Sequence, residues 1–294
     1  MQPIVILSNA AAQCATFFWE GIPDYYVGYR FIEHDPEISN SVLSGIENTP
    51  CFINKEIPDG DGTPLPIERG NPWNKDWMVS YEESDSNNPV QLSFRSFSDG
   101  SACSCGLDNN GAQKREFLFK PVENGVEMRM TLTTNEPIDG AICVQQCLRY
   151  SGVTNMDWRM PIAHVPFLSE FDIQSQINPN QSITYARKNK QWLQFPVQQT
   201  KYHIPSGQLL LGEETSGAID HGLIVRESLD RKYTSGMYWE RTAYISNRHH
   251  ADCLHSAVDF GPLKAGRSRT VCGKFYFIKG TKDDLLKAFK QDFR

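Results

Sequence analysis

The chain has 294 residues, a formal net charge of -6 from 29 Lys and Arg against 35 Asp and Glu, and 39% apolar residues. That length supports one sizeable core, and the acidic balance, with no basic stripe to neutralise phosphates, excludes a nucleic-acid partner. No apolar run reaches the length of a membrane span, which argues against a membrane partner as well.

In chain order, the start Met1-Gln2-Pro3-Ile4-Val5-Ile6-Leu7-Ser8 has no positive charge ahead of its apolar run. It reads as mature sequence rather than a secretory signal, and a soluble, cytoplasmic chain is the expectation. Residues 36–88 are rich in Pro, Gly, Asp, Asn and Glu and predict a long loop layer, a kind of segment that often carries binding residues. Residues 117–122 and 126–133 flank Asn124-Gly125, the dipeptide of a tight hairpin whose turn positions need φ > 0. Further strands are predicted over 141–150, 222–227, 237–245 and 270–278, the last entered through a turn at Gly266. Lys188-Asn189-Lys190-Gln191-Trp192 reads as a solvated hairpin turn before a strand tryptophan.

Residues 281–294 form the one clear helical pattern. Thr281 can cap it, Asp283 and Asp284 suit its first turn, and Lys287, Lys290 and Arg294 suit its end. Leu285, Leu286, Phe289 and Phe293 make its apolar stripe. The expected architecture is all-β: a large antiparallel β-sandwich in a single domain over 1–294, with an irregular N-terminal layer and a C-terminal α-helix. The eight cysteines show no CxxC pair, so buried free thiols are expected rather than a zinc ribbon.

The densest chemistry lies in Arg248-His249-His250-Ala251-Asp252-Cys253-Leu254-His255 with Asp259, after the strand-like run 238–245. If the segment is extended, His249, Cys253 and His255 share one face, a ligand set suited to one divalent metal ion such as zinc. His203, His221, His164 or Glu240 could complete that site. A salt-bridged loop that only fixes a turn is the competing reading.

Residues 124–135, Asn-Gly-Val-Glu-Met-Arg-Met-Thr-Leu-Thr-Thr-Asn, resemble a strand pair recurring in galactose-mutarotase-like β-sandwich proteins. Leu263-Lys264-Ala265-Gly266-Arg267-Ser268-Arg269-Thr270-Val271 resembles the late turn and strand of the same group. The likeness covers roughly a third of the chain and implies a fold and a carbohydrate ligand rather than one reaction. No catalytic motif of that group matches, so no catalytic residue is carried over.

On these grounds the expected function is a carbohydrate lyase or epimerase using histidine and tyrosine acid-base chemistry on a small-molecule or oligosaccharide substrate. His250 and His255 are the candidate bases and Tyr244 the acid. Arg241 is placed with them to hold the developing anion. Trp158, Arg159, Asn247 and Trp239 are candidate sugar contacts, through stacking and hydrogen bonds. The alternatives are hydrolysis by paired carboxylates, with Glu240, Asp252 and Asp259 near the cluster, a metal-dependent glycoside hydrolase, and a non-catalytic carbohydrate-binding protein.

Overall fold

The structure, a computed structural model, describes residues 3–8, 14–19, 26–33, 51–53, 63–64, 90–96, 99–107, 113–137, 143–149, 184–195, 200–205, 215–227, 231–248 and 253–293. Eighteen strands, numbered in chain order, form two sheets. The seven-stranded sheet runs β1 (Pro3–Ser8), β2 (Cys14–Trp19), β3 (Tyr26–Glu33), β10 (Cys143–Arg149), β17 (Cys253–Asp259), β16 (Thr242–Arg248) and β13 (Thr200–His203). The eleven-stranded sheet runs β12 (Gln191–Gln194), β11 (Thr184–Lys188), β14 (Ile224–Glu227), β15 (Tyr233–Trp239) and β18 (Arg267–Lys279). It continues through β9 (Gly125–Thr134), β8 (Gln113–Val122), β7 (Ala102–Leu107), β6 (Val90–Ser96) and β4 (Cys51–Ile53), with β5 (Thr63–Pro64) also on β6. Pairing is antiparallel except between β4 and β6. The sheets meet where β15 touches β17 and where β1 touches β7 and β8, giving the expected sandwich.

Strand β9 shows why the layers hold. Val126, Met128, Met130, Leu132 and Thr134 are buried while Glu127 and Arg129 are exposed, the period of two that gives a strand one inner face. Each large apolar side chain so buried contributes about 1.5–3 kcal/mol. On the outer face, Thr131 and Thr133 hydrogen-bond Thr270 and Ser268 of β18, each at 2.8 Å. At the β8–β9 turn Asn124 has φ 66° and Gly125 φ 151°. A side chain at Gly125 would also collide with the backbone oxygen of Phe275, so position 125 requires glycine twice over.

The helix α1 spans Lys282–Asp292. Thr281 caps it through a reciprocal box: its hydroxyl oxygen accepts from the Asp284 N–H, and the Asp284 carboxylate accepts from the Thr281 N–H at 3.0 Å. Those bonds, with Lys287, hold the Asp284 carboxyl down to about 2. Leu285, Leu286 and Phe289 pack on Leu223, Val225, Tyr276 and Ile278, which fixes the helix to the eleven-stranded sheet.

Three expectations change. The run 237–245 is not one strand: β15 ends at Trp239 and β16 begins at Thr242, in the other sheet. The Thr242 hydroxyl donates to the Trp239 carbonyl at 2.7 Å and closes this turn without Gly, Pro or Asn. The Asn189–Lys190 turn is not merely solvated, because both its N–H groups donate to the Asp220 carboxylate at 2.7 Å. Neither thiol among the described side chains is buried as expected: alternation along β18 buries Val271 and leaves Cys272 outside, while Cys103 is half-buried. Residues 36–88 contribute the short strands β4 and β5; the remainder of that predicted loop layer lies outside the described residues.

Candidate functional site

Two polar regions emerge. The first is one face of the seven-stranded sheet, set by register. Lys201 pairs with Ser246 and His203 with Tyr244 between β13 and β16, and Ser246 pairs with His255 between β16 and β17. Residues directly opposite, or two apart along a strand, share a face, so Lys201, His203, Tyr244, Ser246 and His255 lie together. Two contacts agree: the Lys201 ammonium lies 5.1 Å from the centre of the Tyr244 ring, and the Ser246 hydroxyl oxygen lies 3.4 Å from His255 Nδ1. The backbone row continues with Cys147 opposite His255, Arg30 opposite Cys147 and Cys14 opposite Arg30.

This face deepens from edge to centre. Lys201 and His203 on β13 are half-buried, whereas Tyr244 is 1% and His255 0% exposed. The His203 ring is fixed by a 2.7 Å hydrogen bond between Nδ1 and the Thr215 hydroxyl. Tyr244 and His255 are diagonal neighbours on adjacent strands, which sets their Cβ atoms roughly 7–8 Å apart.

The second region is a cleft of about 340 Å³ where the chain passes from β15 to β16. Asp220, His221, Tyr238, Trp239, Glu240 and Arg241 all line it. Arg241 is clamped: Nε donates to the Asp259 carbonyl at 2.8 Å, and Nη2 reaches the Asp259 carboxylate at 3.3 Å. This is the salt-bridged arrangement that the competing reading describes, at position 241. Glu240 accepts from the Cys272 N–H at 3.2 Å. His221 Nδ1 accepts from the Leu223 N–H at 3.4 Å, and its ring lies 4.8 Å from that of Phe289 on α1. Burial lowers the His221 pKa below its ordinary value, opposed by the charge of Asp220. Burial likewise raises the Tyr238 phenol, and the neighbouring Glu240 charge adds to it. Trp239 is 1% exposed and packs on Gly273, where any side chain would strike the indole ring.

The residues singled out from sequence are thus divided. His255 and Tyr244 share the sheet face. Trp239 and Arg241 line the cleft, at the turn that breaks the run 237–245. Asn247 pairs with Leu254 and alternates to the face opposite Tyr244 and His255. His249, His250, Trp158 and Arg159 lie outside the described residues, and Cys253 is described only by its backbone, opposite Arg248 and Arg149. Among the described residues no group of three or more His, Cys, Asp or Glu is placed to hold a metal, and no helix is long and apolar enough to cross a membrane.

Lys201 escaped the sequence reading, and His203 and His221 entered it only as distant metal ligands. A signal was present in Lys201-Tyr202-His203, where polar residues two apart alternate with an aromatic one.

No protein-family model and no curated protein matches this sequence. In structure the chain is similar to galactose mutarotase-like proteins. One from Clostridium acetobutylicum is 9% identical, with a TM-score of 0.36 over 95% of this chain and 99% of that one. One from Lactobacillus casei is 8% identical, with a TM-score of 0.33 over 60% of this chain and 70% of that one. A candidate aldose 1-epimerase from Escherichia coli K12 is 11% identical, with a TM-score of 0.33 over 94% of this chain and 99% of that one.

Proposed function

We propose that this chain is a carbohydrate-active enzyme, an epimerase or lyase, in which His255 and Tyr244 exchange protons with a sugar. The observation that carries the reading is the register that sets His255, Ser246, Tyr244, His203 and Lys201 on one sheet face. Sugar as the substrate class is supported by the resemblance of residues 124–135 and 263–271, stretches that are paired in the fold as β9 and β18.

The chemistry needs one group to take a proton and another to give one, with charge compensation between them. His255 takes the proton, Tyr244 delivers one, and the Lys201 ammonium beside the Tyr244 ring offsets the negative charge that develops on the phenol oxygen. The Ser246 hydroxyl beside His255 Nδ1 orients the imidazole. Burial of both groups excludes competing water.

The test is a screen of sugar substrates with the wild type, then His255→Ala and His255→Gln on the best of them, each checked for folding by circular dichroism. Expected is a fall in kcat of about 10²–10⁴-fold, the contribution of one acid-base group, with substrate affinity kept within a few-fold. A wild type that binds a sugar but never turns it over, with binding lost in both variants, would make this face a binding module and overturn the enzyme reading.

A further inference from the structure

We infer that the cleft at the β15–β16 turn is a second, separate binding site that takes one neutral sugar ring. The inference does not rest on the His255 reading, because none of the cleft groups used here lies on that sheet face.

The argument starts from the groups left over once the protein has satisfied itself. The Trp239 indole N–H is buried and has no hydrogen-bond partner among the described residues. His221 accepts from Leu223 at Nδ1, so its proton sits on Nε2, a second N–H donor beside the cleft. Arg241 uses Nε and Nη2 on Asp259 and Gly261, which leaves Nη1. Glu240 meets Cys272 through Oε2, which leaves Oε1 to accept. The cleft therefore needs a ligand that accepts several hydrogen bonds and donates at least one. A hydroxyl does both.

Charge narrows the class. The lining holds three carboxylates, Asp220, Glu240 and Asp259, against one guanidinium, and the half-buried His221 has its pKa lowered, so the lining is net negative. An anionic sugar or a phosphate ester is repelled by that balance. An ammonium would suit the charge, but it accepts no hydrogen bond and leaves the two N–H donors unanswered. The half-buried ring of Tyr238 supplies apolar surface for the C–H face of a sugar. A volume of about 340 Å³ lies at the small end of ligand pockets, which run roughly 300–1,000 Å³, and suits one ring rather than an oligosaccharide.

The experiment follows the indole N–H signal of Trp239 in protein carrying ¹⁵N-labelled tryptophan, assigned with Trp239→Phe. Glucose, galactose, mannose, glucuronate and glucosamine are titrated in turn. A saturable shift of that one signal by at least one neutral sugar is expected, with glucuronate weaker by about 10-fold from like-charge repulsion. Glu240→Gln should weaken the neutral sugar several-fold and narrow its margin over glucuronate. His255→Ala should leave the titration unchanged, so this site survives even if the His255 face proves non-catalytic. The inference is overturned if no neutral sugar moves the signal at about 100 mM, beyond the weakest affinities of interest. It is overturned equally if glucuronate or glucosamine binds more tightly, or if His255→Ala abolishes the shift.

Discussion

The face around His255 and the cleft around Trp239 both draw on β16, yet they are assembled differently. The face is a product of register: β13, β16 and β17 bring together residues from positions 201 to 255 because side chains repeat every two residues. The cleft is a product of a turn, where Glu240 and Arg241 leave one sheet for the other and α1 closes in behind His221. Tyr244 and His255, placed by register on inner strands, are held by neighbours on both sides and sit buried. Groups placed by the turn keep spare hydrogen-bonding capacity and stay open to a ligand. Chemistry that needs a dry, fixed pair is better served by the first, and recognition by the second.

Substitutions can break or sharpen that contrast. The largest effect is expected on the face, where Tyr244→Phe removes the acid but keeps the ring under Lys201, and kcat should fall by about 10²-fold. Steady-state kinetics check this, and an unchanged kcat with an inactive His203→Ala would transfer the role across the strand pair to His203. Next comes the wall behind the cleft. Leu285 is fully buried between α1 and the eleven-stranded sheet, so Leu285→Ala should cost about 2–5 kcal/mol, read from the urea midpoint. A loss well under 1 kcal/mol would mean that the helix does not hold the wall.

The smallest effect is a pH dependence. His221 has its pKa lowered in the folded protein by burial, assisted by Arg187 and Lys290 and opposed by Asp220. The unfolded chain then binds the proton more readily, so this contribution is present above about 6.5 and is lost as pH falls through the lowered folded value. His221→Gln removes the titration. Between pH 7.5 and 5.5 the wild type should lose more thermal stability than His221→Gln, and equal losses would show that the imidazole is not desolvated.

Local features were readable in the sequence because local physics decides them. Asn124-Gly125 announces the hairpin through its need for positive φ, and Thr281 with Asp284 announces the helix start through its reciprocal cap. The break at Glu240–Arg241 was not readable. It contains no turn residue and is closed by the Thr242 side chain on the Trp239 carbonyl, within a run of strand-forming residues. The company of His255 was equally hidden. Lys201 and His203 reach it through pairings across more than forty residues of sequence, and register of that kind is written in neither propensity nor spacing. Asp220 was hidden for the same reason, since the turn it fastens lies thirty residues upstream.

Strand β18 has a consequence for how the protein is made. It lies between β9 and β15, pairing Arg267 through Tyr276 with β9 and Gly273 through Lys279 with β15. During synthesis β9 and β15 emerge well before it, and each must wait with an open edge until residues 267–279 arrive. Contacts that span 139 residues, such as Thr131 to Thr270, close slowly because the intervening chain must be ordered first. The nascent protein therefore carries two incomplete half-sheets, and unpaired edges of that kind are where chains join one another wrongly. The exposed row of β9, with Glu127 and Arg129, places charge on the waiting strand throughout that interval.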